Sequence, residues 1–345
     1  MSGLRRIRNN LPRSDDYNPC FVNMPCCSVI VVTYNSGAQI GACLRALAAQ
    51  PCEIIVVDNA SQDDTVSRVQ ALAKEVPLRL VRMPRNLGFA AGVNQGARTA
   101  NTEAILMLNP DAVAEVGAID ALLSGLAKSG AAAASGSLLD EDGSPAKGFS
   151  FRRLPTLSSL LCEVLLVNQA WPSNPVNRRY RCLEADYSRE QEVEQPAGAC
   201  LAVRRENWER LGGMDAGFYP VWFEDVDFCL RVRQSGGRIM YCPAARFRHI
   251  GAHSVGQLDF EARQVYWYRN MLRYAGKHFA AWKILILRLG ILTGIMIRVT
   301  AALLGSRPKG VPLGQAVHGY WRVVRIALSG CGKSHSRLFG DSLRG

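Results

Sequence analysis

From residue 28 onward the chain alternates two kinds of hydrophobic pattern. Runs of mostly apolar, largely branched residues at 28–33, 53–57 and 104–108, and a shorter one at 78–81 that contains Arg79, predict strands apolar on both faces. Between them apolar positions recur every three or four residues, from Ile40 to Ala49, from Asp63 through Leu72 and from Asn86 past Asn94, which predicts helices with one buried stripe. This alternation predicts an α/β domain whose mainly parallel sheet is covered by helices on both sides. Ligands of such sheets lie beyond the carboxyl ends of the strands, where the chain carries Thr33, Asp58, Asn59, Asn109 and Asp111.

The pattern loosens over residues 137–195, with turn signals at Asp140-Glu-Asp-Gly143 and a Pro- and Arg-containing stretch from Trp171 to Arg181. A long irregular segment of this kind is expected to be functional, here as the wall of an acceptor cleft. Regular signals return as a strand at 197–203, a short helix at 206–211 closed by Gly212-Gly213, and a strand at 238–241.

The unusual stretch lies between these last two elements. It reads F-Y-P-V-W-F-E-D-V-D-F-C-L-R from Phe218 to Arg231 and crowds Glu224, Asp225 and Asp227 among aromatic residues. Apolar surroundings and neighbouring like charges both raise a carboxyl pKa, as a proton acceptor requires. The same stretch also reads as the start of an ordinary helix, with Asp227 and Arg231 paired at i, i+4 and Phe223, Val226 and Leu230 as its buried stripe.

Composition narrows the function. The 345 residues include 48% hydrophobic ones, enough for a sizeable core, and the net charge of +12 points to an anionic partner: nucleic acid, a phosphorylated substrate or a membrane surface. Residues 1–25 are basic and unpatterned, with Arg5, Arg6, Arg8 and Arg13 but no apolar signal core, so a flexible lead-in and a cytoplasmic location are expected. The eleven cysteines are scattered; Cys20, Cys26 and Cys27 have no matching second ligand pair, and most are expected to be small buried residues. A dinucleotide dehydrogenase is excluded because the loop after the first strand, T-Y-N-S-G-A, lacks the glycine fingerprint; a P-loop is absent as well.

Taken together, S-V-I-V-V-T-Y-N, I-I-V-V-D-N-A-S-Q-D-D-T, R-N-L-G-F-A-A-G-V-N-Q-G, L-N-P-D, P-A-G-A-C-L-A-V-R-R, F-E-D-V-D-F-C-L-R and the late His249 resemble family 2 glycosyltransferases of the GT-A fold, in particular bacterial rhamnosyltransferase-type members. The resemblance runs from about residue 28 to residue 254. It implies an inverting, metal-dependent transfer of a sugar, rhamnose or a related deoxyhexose, from a dTDP- or UDP-sugar donor to a glycan or lipid-linked saccharide acceptor in cell-surface glycan synthesis. Asp225 matches the catalytic base. Asp111 and His249 match ligands of Mg²⁺ or Mn²⁺, with Asn109 standing where the family's metal motif has its first acid. Thr33, Asp58, Asn59, Gly88, Phe89 and Asn94 match the donor pocket; Asn109, Trp222 and Glu224 complete the substrate contacts, Glu224 toward the acceptor. Nucleic acid is not an implied partner. The alternative is a catalytically silent nucleotide-sugar-binding or scaffold protein of the same fold.

The reading divides the chain into an extension (1–25), the transferase domain (26–255) and a C-terminal helical region (256–345). From Ala280 to Gly305 the latter is apolar and long enough to span a bilayer, but Arg288 and Arg298 oppose spanning. Lys283, Arg288 and Arg298 share one arc of the helical wheel, interrupted by Leu287 and Ile291. The expectation is a helix on the inner face of the cell membrane with those cations toward lipid phosphates.

Overall fold

The computed structural model describes residues 27–249, 256 and 258–329; the expected lead-in, with Cys20 and Cys26, lies outside them. Elements run in the order β1 (Cys27–Thr33), α1 (Gly37–Ala48), β2 (Glu53–Asp58), α2 (Thr65–Leu72), β3 (Leu78–Arg82), α3 (Phe89–Thr99), β4 (Ala104–Leu108), β5 (Ala112–Ala114), α4 (Ala118–Ser129) and β6 (Ala133–Leu139). The irregular segment holds β7 (Phe151–Arg152), α5 (Leu157–Val164), α6 (Val167–Ala170), α7 (Pro175–Tyr180), β8 (Gln191–Glu192) and β9 (Gln195–Pro196). Then come β10 (Cys200–Arg204), α8 (Arg205–Leu211), α9 (Glu224–Gln234), β11 (Ile239–His249), α10 (Phe260–His278), α11 (Ala281–Leu303) and α12 (Leu313–Leu328).

The main sheet has the order β3-β2-β1-β4-β10-β6-β11-β5. Its first four strands are parallel, and their alternate side chains feed two cores: Val29 and Val31 face α1, α2 and α4, whereas Ile30 and Val32 face α3, α8 and α9. The expected two-sided cover is therefore present over β2, β1 and β4, whereas β3 at the sheet edge holds no fully buried residue. β10 and β5 run against the rest. The reversal of β10 matters for the site, because Cys200 at its start pairs with Leu108 at the end of β4. Residues 197–199, just before β10, thus arrive at the carboxyl edge of the sheet.

Two elements exceed the sequence expectation. β6 is built from A-A-S-G-S-L-L, whose small residues carry no branched-apolar signature, and together with α4 it fills a stretch where no element was expected. β11 does not stop at Tyr241: it continues to His249 across a bulge between Cys242 and Arg246, where Pro243 needs no ladder partner for its missing N–H. Opposite the bulge only Gly136 fits, since a Cβ there would lie 2.5 Å from the Ala245 carbonyl oxygen. Of the cysteines described, Cys27, Cys43, Cys200, Cys229 and Cys242 are buried and all are free thiols.

The C-terminal helices form a third core with the loop before α9: Phe218, Phe223 and Val226 pack with Tyr268, Met271 and Leu287. The expected orientation of α11 is reversed. Arg288 donates to the carbonyls of Ala327 (3.0 Å) and Ser329 (2.9 Å), closing the end of α12, and Arg298 donates to Val164 O and to Glu163 O (3.5 Å), closing the end of α5. Unsatisfied helix-end carbonyls attract cations more strongly than open solvent does, so both arginines turn inward beside Leu287 and Ile291.

Candidate active site

On the donor side, Thr33 and Asp58 are register partners at the ends of β1 and β2, both buried. Thr33 Oγ1 donates to Asp58 Oδ1 (3.0 Å), and Ser61 donates to the same carboxylate through its N–H (3.1 Å) and hydroxyl (2.5 Å). Asn59 spends its amide on the neighbouring loop, donating to Gly88 O (3.0 Å) and accepting from Leu87 N–H (3.3 Å). Asn94 does the same to a more distant loop, donating to Met214 O (2.7 Å) and accepting from Met214 N–H (2.9 Å). Gly88 has φ +87°, and a Cβ there would meet Pro220 O at 2.9 Å; Phe89 N–H donates to that oxygen (2.8 Å). The residues matched to a donor pocket thus divide: Thr33 and Asp58 line the strand ends, while Asn59, Gly88, Phe89 and Asn94 seat the loop that delivers α9.

Asp111 and His249, far apart in sequence, meet because β11 pairs with β5 in the register that sets His249 opposite Ala112. The imidazole Nε2 lies 3.2 Å from Asp111 Oδ1 and 3.5 Å from Asn109 Nδ2, and Phe149 stacks on the ring at 5.2 Å between centroids. Among the described residues no three His, Cys, Asp or Glu side chains converge on one point. One carboxylate and one imidazole suit Mn²⁺ or Mg²⁺, ions that take their remaining positions from phosphate oxygens and water. The donor set therefore fits such an ion bound together with a diphosphate.

Asp225 lies in the first turn of α9. Its Oδ2 accepts from Gly198 N–H (2.9 Å) and Gln195 Nε2 (3.3 Å), and its Oδ1 from Val226 N–H (2.8 Å). Residue 199, next to Gly198, accepts the Asn109 N–H (3.0 Å), so consecutive residues tie the acid to the Asp111–His249 pair. Burial raises the Asp225 pKa above its ordinary value, partly offset by the Gly198 and Val226 N–H groups and by the Arg152 cation. Glu224 is buried, its Oε2 has no hydrogen-bond partner, and burial followed by the Asp225 charge raises its pKa far more. The helix is entered through two successive left-handed residues, Trp222 (φ +80°) and Phe223 (φ +71°). Such backbone costs about 1–3 kcal/mol per residue in non-glycine positions and persists where the surroundings over-determine it. Here Asn270 does so, donating to Tyr219 O (3.1 Å) and Val221 O (2.8 Å), with Arg269 also on Tyr219 O.

Asp227 belongs to the scaffold. It pairs with Arg231 (2.8 Å) as its spacing implies, but also with Lys277 (2.6 Å) and His278 (2.8 Å), partners that sequence spacing could not reveal. Burial opposes the charge, yet the hydrogen bonds from Lys277, His278 and Arg231 outweigh it and lower the pKa.

Gln195, Gly198, Phe149 and Arg152 were not anticipated. Gly198 stood inside the quoted P-A-G-A-C motif without a role; an added Cβ would lie 3.1 Å from the Asp225 Cβ. Gly198→Ala should displace the carboxylate by a few tenths of an ångström. It is expected to lower turnover roughly tenfold or more with the thermal midpoint nearly unchanged, read from steady-state rates beside a melting curve.

The family profile described as glycosyl transferase family 2 matches residues 28–210, and that of the N-terminal domain of galactosyltransferase matches residues 178–254. N-acetylglucosaminyl-diphospho-decaprenol L-rhamnosyltransferase of Mycobacterium tuberculosis is 30% identical over 271 residues, 74% of this chain and 86% of that protein. Rhamnosyltransferase WbbL of Escherichia coli is 26% identical, over 54% of this chain and 67% of that protein. Mannosyltransferase PcManGT from Pyrobaculum calidifontis, solved with GDP-Man and Mn²⁺, superposes with a TM-score of 0.52 at 20% identity, over 89% of this chain and 87% of that one. GalNAc-T7, solved with UDP, GalNAc and Mn²⁺, superposes with a TM-score of 0.54 at 17% identity, over 89% and 55%. With the family profile covering more than half of its length and a relative 30% identical over 74% of it, this GT-A-folded chain belongs to glycosyl transferase family 2 and is a glycosyltransferase.

Proposed function

We propose that the enzyme is an inverting, metal-dependent transferase that moves rhamnose or a related deoxyhexose from a dTDP donor to a lipid-linked saccharide at the cytoplasmic face of the membrane. The observation that carries the proposal is the link through residues 198 and 199, which ties a raised-pKa carboxylate to Asn109, two residues before the Asp111 that meets His249. Asp225 takes the proton of the acceptor hydroxyl while the anomeric carbon leaves the donor's phosphate oxygen and bonds to the acceptor oxygen on its opposite face. Asp111 and His249 would hold the Mg²⁺ or Mn²⁺, which offsets the charge of the departing diphosphate. Thr33 and Asp58 contact base and ribose, and Asn109 lies beside the diphosphate. Trp222 and Glu224 meet the acceptor.

The names of the mycobacterial and E. coli relatives support rhamnose, and the first also supports an acceptor whose saccharide is joined to a lipid through a diphosphate. A cavity of about 490 Å³ among residues 151–194, lined by Arg152, Arg153, Arg178 and Arg179 together with Glu184, Glu192 and Glu194, supports residues 137–195 as the acceptor wall. In this reading residues 26–255 form the transferase domain and the region after 256 its membrane-side support.

The test is nucleotide release from dTDP-, UDP- and GDP-sugars with and without Mn²⁺ or Mg²⁺. Release from a dTDP-sugar is expected, abolished by chelation. His249→Ala should raise the metal concentration needed by roughly 10–100-fold or more, the range seen even for residues that merely support a ligand. No release from any donor under any metal condition would favour the silent nucleotide-sugar-binding reading instead.

A further inference from the structure

The C-terminal helices turn an apolar face to water. The exposed positions of α11 carry only Ala, Trp, Leu, Ile, Thr and Met. Trp282, Leu285, Leu289, Met296 and Leu303, each 56–70% exposed, form a stripe along its length. Val317, Trp321 and Leu328 extend this exposed apolar surface on α12. Apart from these helices and the adjoining Leu304, the large apolar side chains exposed among the described residues are Val116 and Trp171. Soluble monomers rarely leave so much contiguous apolar surface bare.

The charge around this face is one-sided. Residues 279–329 contain no Asp or Glu. Arg288 and Arg298 are turned inward and Arg322 pairs with Glu261, which leaves Lys283, Arg307, Lys309 and Arg325 as cations around the apolar stripe. A second copy meeting this face symmetrically would bring those cations together. The opposite side of α11 is occupied: added Cβ atoms at Gly290 and Gly294 would lie 2.4 Å from Leu161 Cδ2 and 2.0 Å from Val164 O. A helix so closely packed along one side on α5 is not free to cross a bilayer alone.

We propose that this face docks into the headgroup–acyl boundary of an anionic phospholipid bilayer, with α11 lying in the membrane plane, its apolar stripe inserted and the half-buried Lys283 with the exposed Arg307, Lys309 and Arg325 at the lipid phosphates. The proposal deepens the lipid-linked acceptor reading and rests on it for the choice of a bilayer as occupant.

Flotation of the full-length protein with phosphatidylcholine vesicles, with and without phosphatidylglycerol, tests it. The triple variant Trp282→Glu/Leu289→Glu/Trp321→Glu is expected to lose vesicle binding by roughly tenfold or more, because charged side chains are strongly disfavoured in the acyl region. Lys283→Ala/Arg307→Ala/Lys309→Ala should lose only the extra binding conferred by phosphatidylglycerol. Both variants are substituted at the surface and should keep the wild-type thermal midpoint and donor-dependent nucleotide release. Loss of docking is thereby separated from failure of the transferase reading. Undiminished flotation of the triple glutamate variant overturns the proposal. So does resistance of the bound protein to alkaline carbonate, which would mean a spanning helix. Conversion of an oligomer to a monomer with flotation intact would assign the face to a second copy and overturn it as well.

Discussion

Asp225→Asn is expected to lower sugar transfer by ~10²- to 10⁴-fold, the usual loss for a well-placed general base. The fold should survive, since an asparagine oxygen can still accept the Gly198 or Val226 N–H. In the wild type, kcat/KM should rise with pH through a midpoint above the ordinary aspartate value, because burial favours the protonated form. The asparagine variant should lack that limb. A carboxyl whose pKa is higher in the folded state stabilises the fold below its unfolded pKa, and that contribution is lost as pH rises through the folded value. Glu224, raised further, therefore burdens stability at high pH, and Glu224→Gln should melt no lower than wild type there. Full activity in Asp225→Asn would remove the carboxylate from the mechanism, whatever the fate of the metal pair.

The second large effect concerns stability at a distance from the chemistry. Asp227→Ala leaves Arg231, Lys277 and His278 around an emptied, fully buried position. Breaking a buried charge cluster by deleting one partner costs about 3–5 kcal/mol. For a chain of this size the thermal midpoint should fall by on the order of 10 °C. Because the Asp227 pKa is lowered by its partners, the stability it supplies is present above the unfolded carboxylate value and disappears as pH falls through the folded one. The melting points of wild type and variant should accordingly converge in acid. Activity should fall too, since α10 carries Lys277 and His278 and also Asn270, which holds the strained entry to α9. Removal of the chain after residue 256 would strip all three contacts. Such a truncation is expected to inactivate the enzyme rather than merely release it from a membrane. Equal melting curves for Asp227→Ala and wild type at neutral pH would refute the clamp.

The resemblance to a glycosyltransferase could be read from the chain because its signals are local. A run such as 28–33 announces a buried strand through its own composition, and Glu224-Asp225 stands out against a basic chain without any knowledge of neighbours. Strand ends follow from strands, so Thr33, Asp58, Asn109 and Asp111 could be placed at the carboxyl edge before any coordinates. Small-residue β6 and the bulged continuation of β11 could not, since neither has a composition that separates it from a loop.

The sequence by itself determined the four strands and intervening helices of residues 28–108, the clustering of acids in the aromatic stretch and the apolar length of residues 280–305. Only the tertiary structure decided what each polar group faces. It gave the Asn59 and Asn94 amides to backbone, set Arg231, Lys277 and His278 around Asp227, joined Asp111 to His249 through a strand register, and turned Arg288 and Arg298 inward onto helix ends. The reason is physical: periodicity along a chain says that a helix or strand has two unlike faces. Which face is covered, and by what, depends on partners more than a hundred residues away and on the cost of leaving their buried carbonyls and charges unsatisfied.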